Sequence, residues 1–171
     1  MPPIADASVR PDPIDLAQQN WIAAGWGNAA DGMALVTSIM RVQQLYLGRI
    51  ETLLRPNGLT FARFEVLRLL AFTRHGVLPV GKIGERLQVH PASVTNAVQR
   101  LVEAGLVERR PNPDDGRSVL AEITPAGRDI VERCTAILND EVFAEVGVDP
   151  AVRVAARAAL DEMRRSFGDP A

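Results

Sequence analysis

The sequence predicts a mainly α-helical fold with one small β-hairpin, and three observations carry that expectation. Apolar residues recur at three- and four-residue steps through most of the chain, the period of an amphipathic helix. Residues 106–123 alone change to alternation, around the turn cluster Pro111-Asn112-Pro113-Asp114-Asp115-Gly116. A length of 171 residues, 47 % hydrophobic and 23 % charged, suffices for one ordinary domain with a helical annex and a real core.

Residues 1–13 hold four of the 12 prolines and little periodicity, and read as a mobile arm. Residues 15–26 form a short helix bearing Trp21 and Trp26, ended by Gly25 and Gly27. A proline-free segment over residues 32–55 carries Leu35, Val36, Ile39, Met40, Val42, Leu45, Tyr46, Ile50, Leu53 and Leu54 largely on one stripe. At about 1.5 Å per residue it is longer than a small domain needs, so it is expected to pack against something beyond its own domain.

Pro56-Asn57-Gly58 breaks that helix, and Thr60 suits the N-cap of another over residues 61–72. Phe61, Phe64, Val66, Leu67, Leu69, Leu70 and Ala71 make it mostly buried. A short helix over 80–87 turns Val80, Ile83 and Leu87 inward. Val89-His90-Pro91 leads into a helix over 92–104, with Pro91 in the first turn and Gly105 as the stop. Strands over 106–110 and 118–123 make the hairpin, with Val119, Ala121 and Ile123 on one face. Thr124-Pro125 opens a helix carrying Ile130, Cys134, Ile137, Leu138, Val142 and Phe143, and Gly147 to Pro150 breaks it. A last helix over 151–167 is expected to bury Val152, Ala155, Ala159, Leu160 and Met163. In order, the middle of the chain is a helix-turn-helix followed by a β-hairpin wing.

No apolar run reaches the roughly 20 residues of a membrane span. The start, Met1-Pro2-Pro3-Ile4-Ala5-Asp6, lacks the basic and apolar regions of a secretory signal, so a cytoplasmic location with no membrane partner is expected. Cys134 is the single cysteine, which excludes a disulfide framework or thiolate zinc cluster within one chain. It reads as a buried small hydrophobe. His75 and His90 have no neighbours at metal-ligand spacing, and no metal or cofactor is expected. No Gly-rich phosphate loop, nucleophile elbow or His–carboxylate–nucleophile set points to an enzyme.

The net charge of −2 conceals a split. Residues 60–128 hold ten basic and seven acidic side chains, whereas the rest of the chain holds nine and fourteen. DNA senses the local field, and the basic part coincides with the helix-turn-helix and wing. On the helix from Ala92, the positions Val94, Val98, Leu101 and Val102 define an inward stripe. Ala92, Asn96, Gln99, Arg100 and Glu103 lie opposite, flanked by Ser93 and Thr95. Small residues let a helix approach a groove, amides pair bidentately with adenine, and arginine pairs with guanine. The alternative is an ordinary solvated face. At the hairpin tip, Arg117 beside Asp114 and Asp115 suits a minor groove, against the alternative of a hydrophilic turn with a surface ion pair.

Three segments in order complete the pattern: Leu59-Thr60-Phe61-Ala62-Arg63-Phe64-Glu65-Val66-Leu67; Val94-Thr95 with Leu101-Val102-Glu103-Ala104-Gly105-Leu106-Val107-Glu108-Arg109; and Asp115-Gly116-Arg117 leading to Ile123-Thr124-Pro125-Ala126-Gly127. Together they resemble the MarR family of winged-helix bacterial transcription regulators, over roughly residues 32–167. The Asp-x-Arg wing followed by Ile-Thr-x-x-Gly is the specific part. The resemblance implies a homodimer in which the first long helix and the last two helices of both subunits interlock. It divides the chain into an N-terminal arm and short helix (1–28), a winged helix-turn-helix DNA-binding domain (59–123) and a helical dimerisation region (29–58 and 124–168). It implies a pseudo-palindromic double-stranded operator with half-sites about 10 bp apart.

Ser93, Thr95, Asn96, Gln99 and Arg100 would then contact bases and phosphates, and Arg117 would be the wing contact, supported by Asp115. His90 would be a weak helix cap. The resemblance also implies a repressor released by a small aromatic or anionic effector bound between the dimerisation helices and the winged helix. One branch of the family responds to urate and carries an extra N-terminal helix with a tryptophan, which Trp21 resembles. Glu65 stands where that branch has aspartate, making Trp21 and Glu65 the candidate ligand residues; Ala97 replaces that branch's basic residue. Alternatively Trp21 and Trp26 pack the added helix. Competing functions are a winged-helix protein-interaction module without DNA binding, or a small enzyme.

Overall fold

A computed structural model describes residues 11–170; most of the expected arm falls on residues 1–10, outside the described residues. The chain divides into two compact units, one ending at Gly48 and the other beginning at Arg49.

The first unit holds α1 (Pro13–Ala23) and most of α2 (Gly27–Leu54). The α1 helix starts two residues earlier than expected because the Asp12 carboxylate accepts the Ile14 N–H at 2.8 Å and Pro13 occupies the first turn. It ends at Ala23, short of Trp26, where Gly25 takes φ +88°. Trp26 instead meets Trp21 edge-on, with ring centroids 5.4 Å apart. Gly27 opens α2 rather than breaking the chain, so this helix begins five residues before the expected start. Its 28 residues run about 42 Å. Ala30 is buried, but Leu35, Val36, Met40, Val42, Leu45 and Tyr46 are exposed in the single chain.

The second unit takes the end of α2, where Ile50 and Leu54 are buried, and a 3-10 turn, Arg55–Asn57. It continues through α3 (Phe61–Phe72), β1 (Val77–Pro79), α4 (Val80–Leu87), α5 (Pro91–Glu103), β2 (Val107–Pro111), β3 (Val119–Ile123) and α6 (Pro125–Leu138). A π-helical segment, Asn139–Phe143, extends α6, and α7 spans Pro150–Ser166. The sheet has the order β1-β3-β2, all antiparallel. Strand β1 is an addition to the expected hairpin: Val77 pairs with Glu122 and Pro79 with Leu120 at the sheet edge, where proline is tolerated.

Leu59, Phe64, Val66, Leu67 and Leu70 meet Ile83, Val94, Val98, Leu101, Val107, Ile123, Val131, Cys134, Leu138 and Val142 in one core. Cys134 lies in it, and desolvation pushes its thiol pKa up, as a structural cysteine requires. The expected burial along the last helix is not found. Val152, Ala155, Ala159 and Leu160 are exposed and Met163 is only partly covered, because the described residues of its own unit leave this face of α7 open. Val102 is likewise only partly buried; Ala97 takes its place in the α5 stripe. No described helix is long and apolar enough to cross a membrane, and no group of His, Cys, Asp or Glu among the described residues is placed to hold a metal ion.

Candidate nucleic-acid interface

Helix α5 is held by its apolar face and presents its polar one. Val94, Ala97, Val98 and Leu101 are buried, while Ala92, Ser93, Thr95, Asn96, Gln99, Arg100 and Glu103 are exposed. His90 caps the helix, its Nδ1 accepting the Ala92 N–H at 3.2 Å. The Thr95 hydroxyl turns back to the Pro91 carbonyl at 3.0 Å. Thr60 caps α3 by accepting the Arg63 N–H, and Arg63 Nε donates to the same hydroxyl at 3.1 Å. The starts of α3 and α5 thus flank an open cleft of about 610 Å³ lined by Thr60, Arg63, Ser93, Asn96 and Arg100. Two guanidiniums, two hydroxyls and two helix N-termini make it a favourable seat for phosphate oxygens.

The far end of the face is internally paired. Arg100 Nη1 lies 3.0 Å from Glu103 Oε2, and Gln99 Nε2 donates to Glu103 Oε1 at 3.1 Å. Those two partners, Gln99 first and then Arg100, hold the Glu103 carboxyl below the usual carboxylate range. Arg109 on β2 reaches back to α5, donating to Gln99 Oε1 at 3.0 Å and to the Thr95 carbonyl at 3.3 Å. Arg109 was not among the expected site residues. Strand alternation carried the signal: Arg109 shares the face of buried Val107, two residues away, and from that face reaches α5 while staying exposed.

The wing tip is ordered by its own side chains. Asn112 Nδ2 donates to Ser118 Oγ at 2.7 Å across the mouth of the loop. The Asp115 carboxylate accepts the Arg117 N–H at 3.0 Å, a local turn that shapes the loop. Among the described residues the exposed Arg117 side chain makes no ion pair, with Asp114, Asp115 or any other. At the wing base Arg110 pairs with Glu122 at 2.8 Å.

The two candidate ligand residues fall in different units, Trp21 against Trp26 and Glu65 on α3. Glu65 lines an apolar groove of about 260 Å³ with Phe61, Phe64, Arg68, Leu69, Phe72, Leu87 and Phe143. Burial raises the Glu65 carboxyl above its ordinary value. Arg68 lies over the Phe72 ring at 4.3 Å, pairs with Glu132 at 2.9 Å and donates to Thr135 Oγ1 at 3.3 Å. Its Nε is buried without a hydrogen-bond partner among the described residues.

A helix with an open polar face beside an arginine-tipped hairpin is the arrangement of a winged-helix fold. The family model described as MarR family matches residues 57–118. The fold is similar to that of Sco5413, a MarR family transcriptional regulator from Streptomyces coelicolor. The two share 48 % identity over 81 % of this chain and 96 % of that one, with a TM-score of 0.74. The chain therefore belongs to the MarR family of transcriptional regulators. It is also similar to Escherichia coli MarR, the multiple antibiotic resistance protein, at 34 % identity over 54 % of this chain and 63 % of that protein. A mutant of that protein in complex with operator DNA matches 79 % of this chain and 96 % of its own, at 26 % identity and TM-score 0.71. BpsR of Bordetella bronchiseptica, whose DNA binding is regulated by 6-hydroxynicotinic acid, matches 75 % of this chain and 97 % of its own at 26 % identity and TM-score 0.66. The chain spans about half to two-thirds of the length of the curated relatives it matches. Membership of a family of regulators displaces the enzyme reading.

Proposed function

We propose that the protein is a homodimeric repressor that reads a pseudo-palindromic DNA duplex and leaves it when a small aromatic or anionic ligand binds. The observation that carries the DNA reading is the open polar face of α5, with Ser93, Thr95, Asn96, Gln99 and Arg100 exposed above a buried stripe. Arg117 extends the footprint from the wing, and Asp115 shapes the turn that carries it. Residues 59–123 form the DNA-binding domain, and residues 29–58 with 124–168 form the dimerisation region, whose exposed apolar faces a second copy would cover. The likeness to an operator-bound MarR supports the partner assigned here.

For the effector, the groove beside Glu65 offers aromatic walls for a ring, and a carboxylate or phenolate would take the unpartnered Nε–H of Arg68 once that partly buried guanidinium turned toward it. The ligand-regulated BpsR supports this part. Trp21 stands as packing for the added helix, in edge contact with Trp26.

The test is fluorescence anisotropy of a duplex from the protein's own promoter, titrated at several salt concentrations. Affinity is expected to fall steeply with salt through counterion release. A flat salt dependence would favour the protein-interaction module. Adding small aromatic acids, 6-hydroxynicotinic acid among them, is expected to release the duplex, and Arg68→Met to abolish that release. An acid that binds the free and DNA-bound forms equally cannot be the inducer.

A further inference from the structure

We infer that Arg109 is a positioning residue for base reading, and that Gln99 is a strut between helix and wing rather than a reader of bases. This rests on the DNA-binding reading above and refines which residues carry its specificity.

Reading adenine takes both ends of a side-chain amide, the carbonyl for N6–H and the NH₂ for N7. In Gln99 both ends are occupied. Its Oε1 accepts from the charged Arg109 Nη1, and its Nε2 donates to the charged Glu103. Hydrogen bonds with a charged partner are the strong ones, and although one lone pair and one N–H of the amide remain, these two bonds fix its orientation, so a base would have to displace them or meet the amide as they hold it. Asn96 lies on the same exposed face, and its amide makes no hydrogen bond with another described residue. The amide free to meet a base edge is therefore that of Asn96.

Arg109 does more than occupy Gln99. Its second nitrogen donates to the Thr95 carbonyl, so one guanidinium fork spans a full turn of α5. Arg109 is itself fixed in the sheet opposite Ala121, which is buried. The fork thereby braces α5, which its apolar face already holds, against the hairpin, and with it the angle at which Asn96 and Arg117 meet the same duplex. Glu103 completes the chain by holding Gln99 and Arg100 together.

The experiment uses the full-length protein. Duplexes are selected from a random-sequence pool, and binding to the winning duplex and its single-base variants is measured at several salt concentrations. Wild type is compared with Arg109→Met, Gln99→Met and the double variant. Each single change is expected to lower the discrimination ratio at the position sensitive to Asn96→Ala by about five- to tenfold. The double change is expected to lower it no further, and the salt slope is expected to stay at the wild-type value. Arg109→Lys, which keeps the charge but loses the fork, is expected to reproduce the loss and decides the matter if Arg109→Met does not fold. A uniform loss on every duplex with a salt slope shallower by about one would make Arg109 a phosphate contact and overturn the proposal. Altered preference at a different position in Gln99→Met, absent in Arg109→Met, would restore Gln99 as a reader and overturn it too. If wild type selects no duplex at all, the DNA-binding reading itself falls; a selected duplex with unaltered preference in the variants removes this inference alone.

Discussion

A Cβ at Gly127 would collide with the Leu106 carbonyl oxygen and lie 2.8 Å from Ile123 Cγ1. That carbonyl cannot retreat easily, because it also accepts the Thr124 N–H at 3.1 Å while the Thr124 hydroxyl accepts the Gly127 N–H. Gly127→Ala is therefore expected to cost about 2–3 kcal/mol through overpacking, read as a lower urea midpoint; an unchanged midpoint would show that the wing exit shifts freely. The sequence displayed this glycine as part of a motif, but its cause is a backbone approach from a residue 21 positions away, which no local pattern encodes. Glu65 makes a second residue-scale prediction. Burial lifts its carboxyl, so the folded chain holds that proton to higher pH than the unfolded chain does. Stability then falls as pH rises through the window between the unfolded and the raised folded value. Glu65→Gln is expected to raise the urea midpoint at pH 7, with the gain shrinking as pH falls through that window and gone below it. A gain independent of pH would trace to packing rather than ionisation. Glu132 has the opposite sign: its hydrogen bond with Arg68 holds its carboxyl low, so its contribution is present at neutral pH and lost on acidification.

At the scale of elements, the parts of the site with local causes were the legible ones. Thr60 and Thr124 as caps, Pro91 and Pro125 in first turns and the stop near Gly105 placed α3, α5 and the start of α6 to within one or two residues. Strand β1 was not legible because three residues ending in proline hold no alternation to detect, and only pairing with β3 makes them a strand. The π-helical turn at Asn139–Phe143 left no signal either, since its apolar residues fit an α-helix equally well. In the wing, the turn residues announced a loop but not what orders it. Asp115 does so through one accepted hydrogen bond, a task that needs its oxygen and not its charge. Asp115→Asn is expected to keep the DNA affinity of wild type and Asp115→Ala to lose it about as far as Arg117→Ala does, with thermal stability unchanged in all three. Equal losses in the asparagine and alanine variants would show that the carboxylate acts through its charge.

For the whole molecule, the expected burial along the last helix failed for an instructive reason. A stripe of Val152, Ala155, Ala159 and Leu160 announces a face that water disfavours, but not which chain covers it. In one chain that face is open, as are Leu35, Val36, Met40, Val42 and Leu45 on α2, and Phe167 is 90 % exposed. Burial is worth about 25 cal/mol per Å² of apolar surface, so leaving both faces wet is a persistent driving force for association. A two-fold pair of chains would also place two copies of α5 on one duplex, which turns the second half-site contact into an intramolecular event worth about 10²–10⁴ in affinity. The protein is accordingly expected to sediment at twice its 18.6 kDa chain mass down to low concentration. The pair Val152→Glu with Leu160→Glu is expected to yield a folded monomer whose DNA affinity falls by that avidity factor while its base preference within one half-site persists. A double variant that still sediments as a dimer would move the interface off α7. A wild-type chain that stays monomeric at every concentration would leave the apolar faces unexplained and remove the paired reading of the operator.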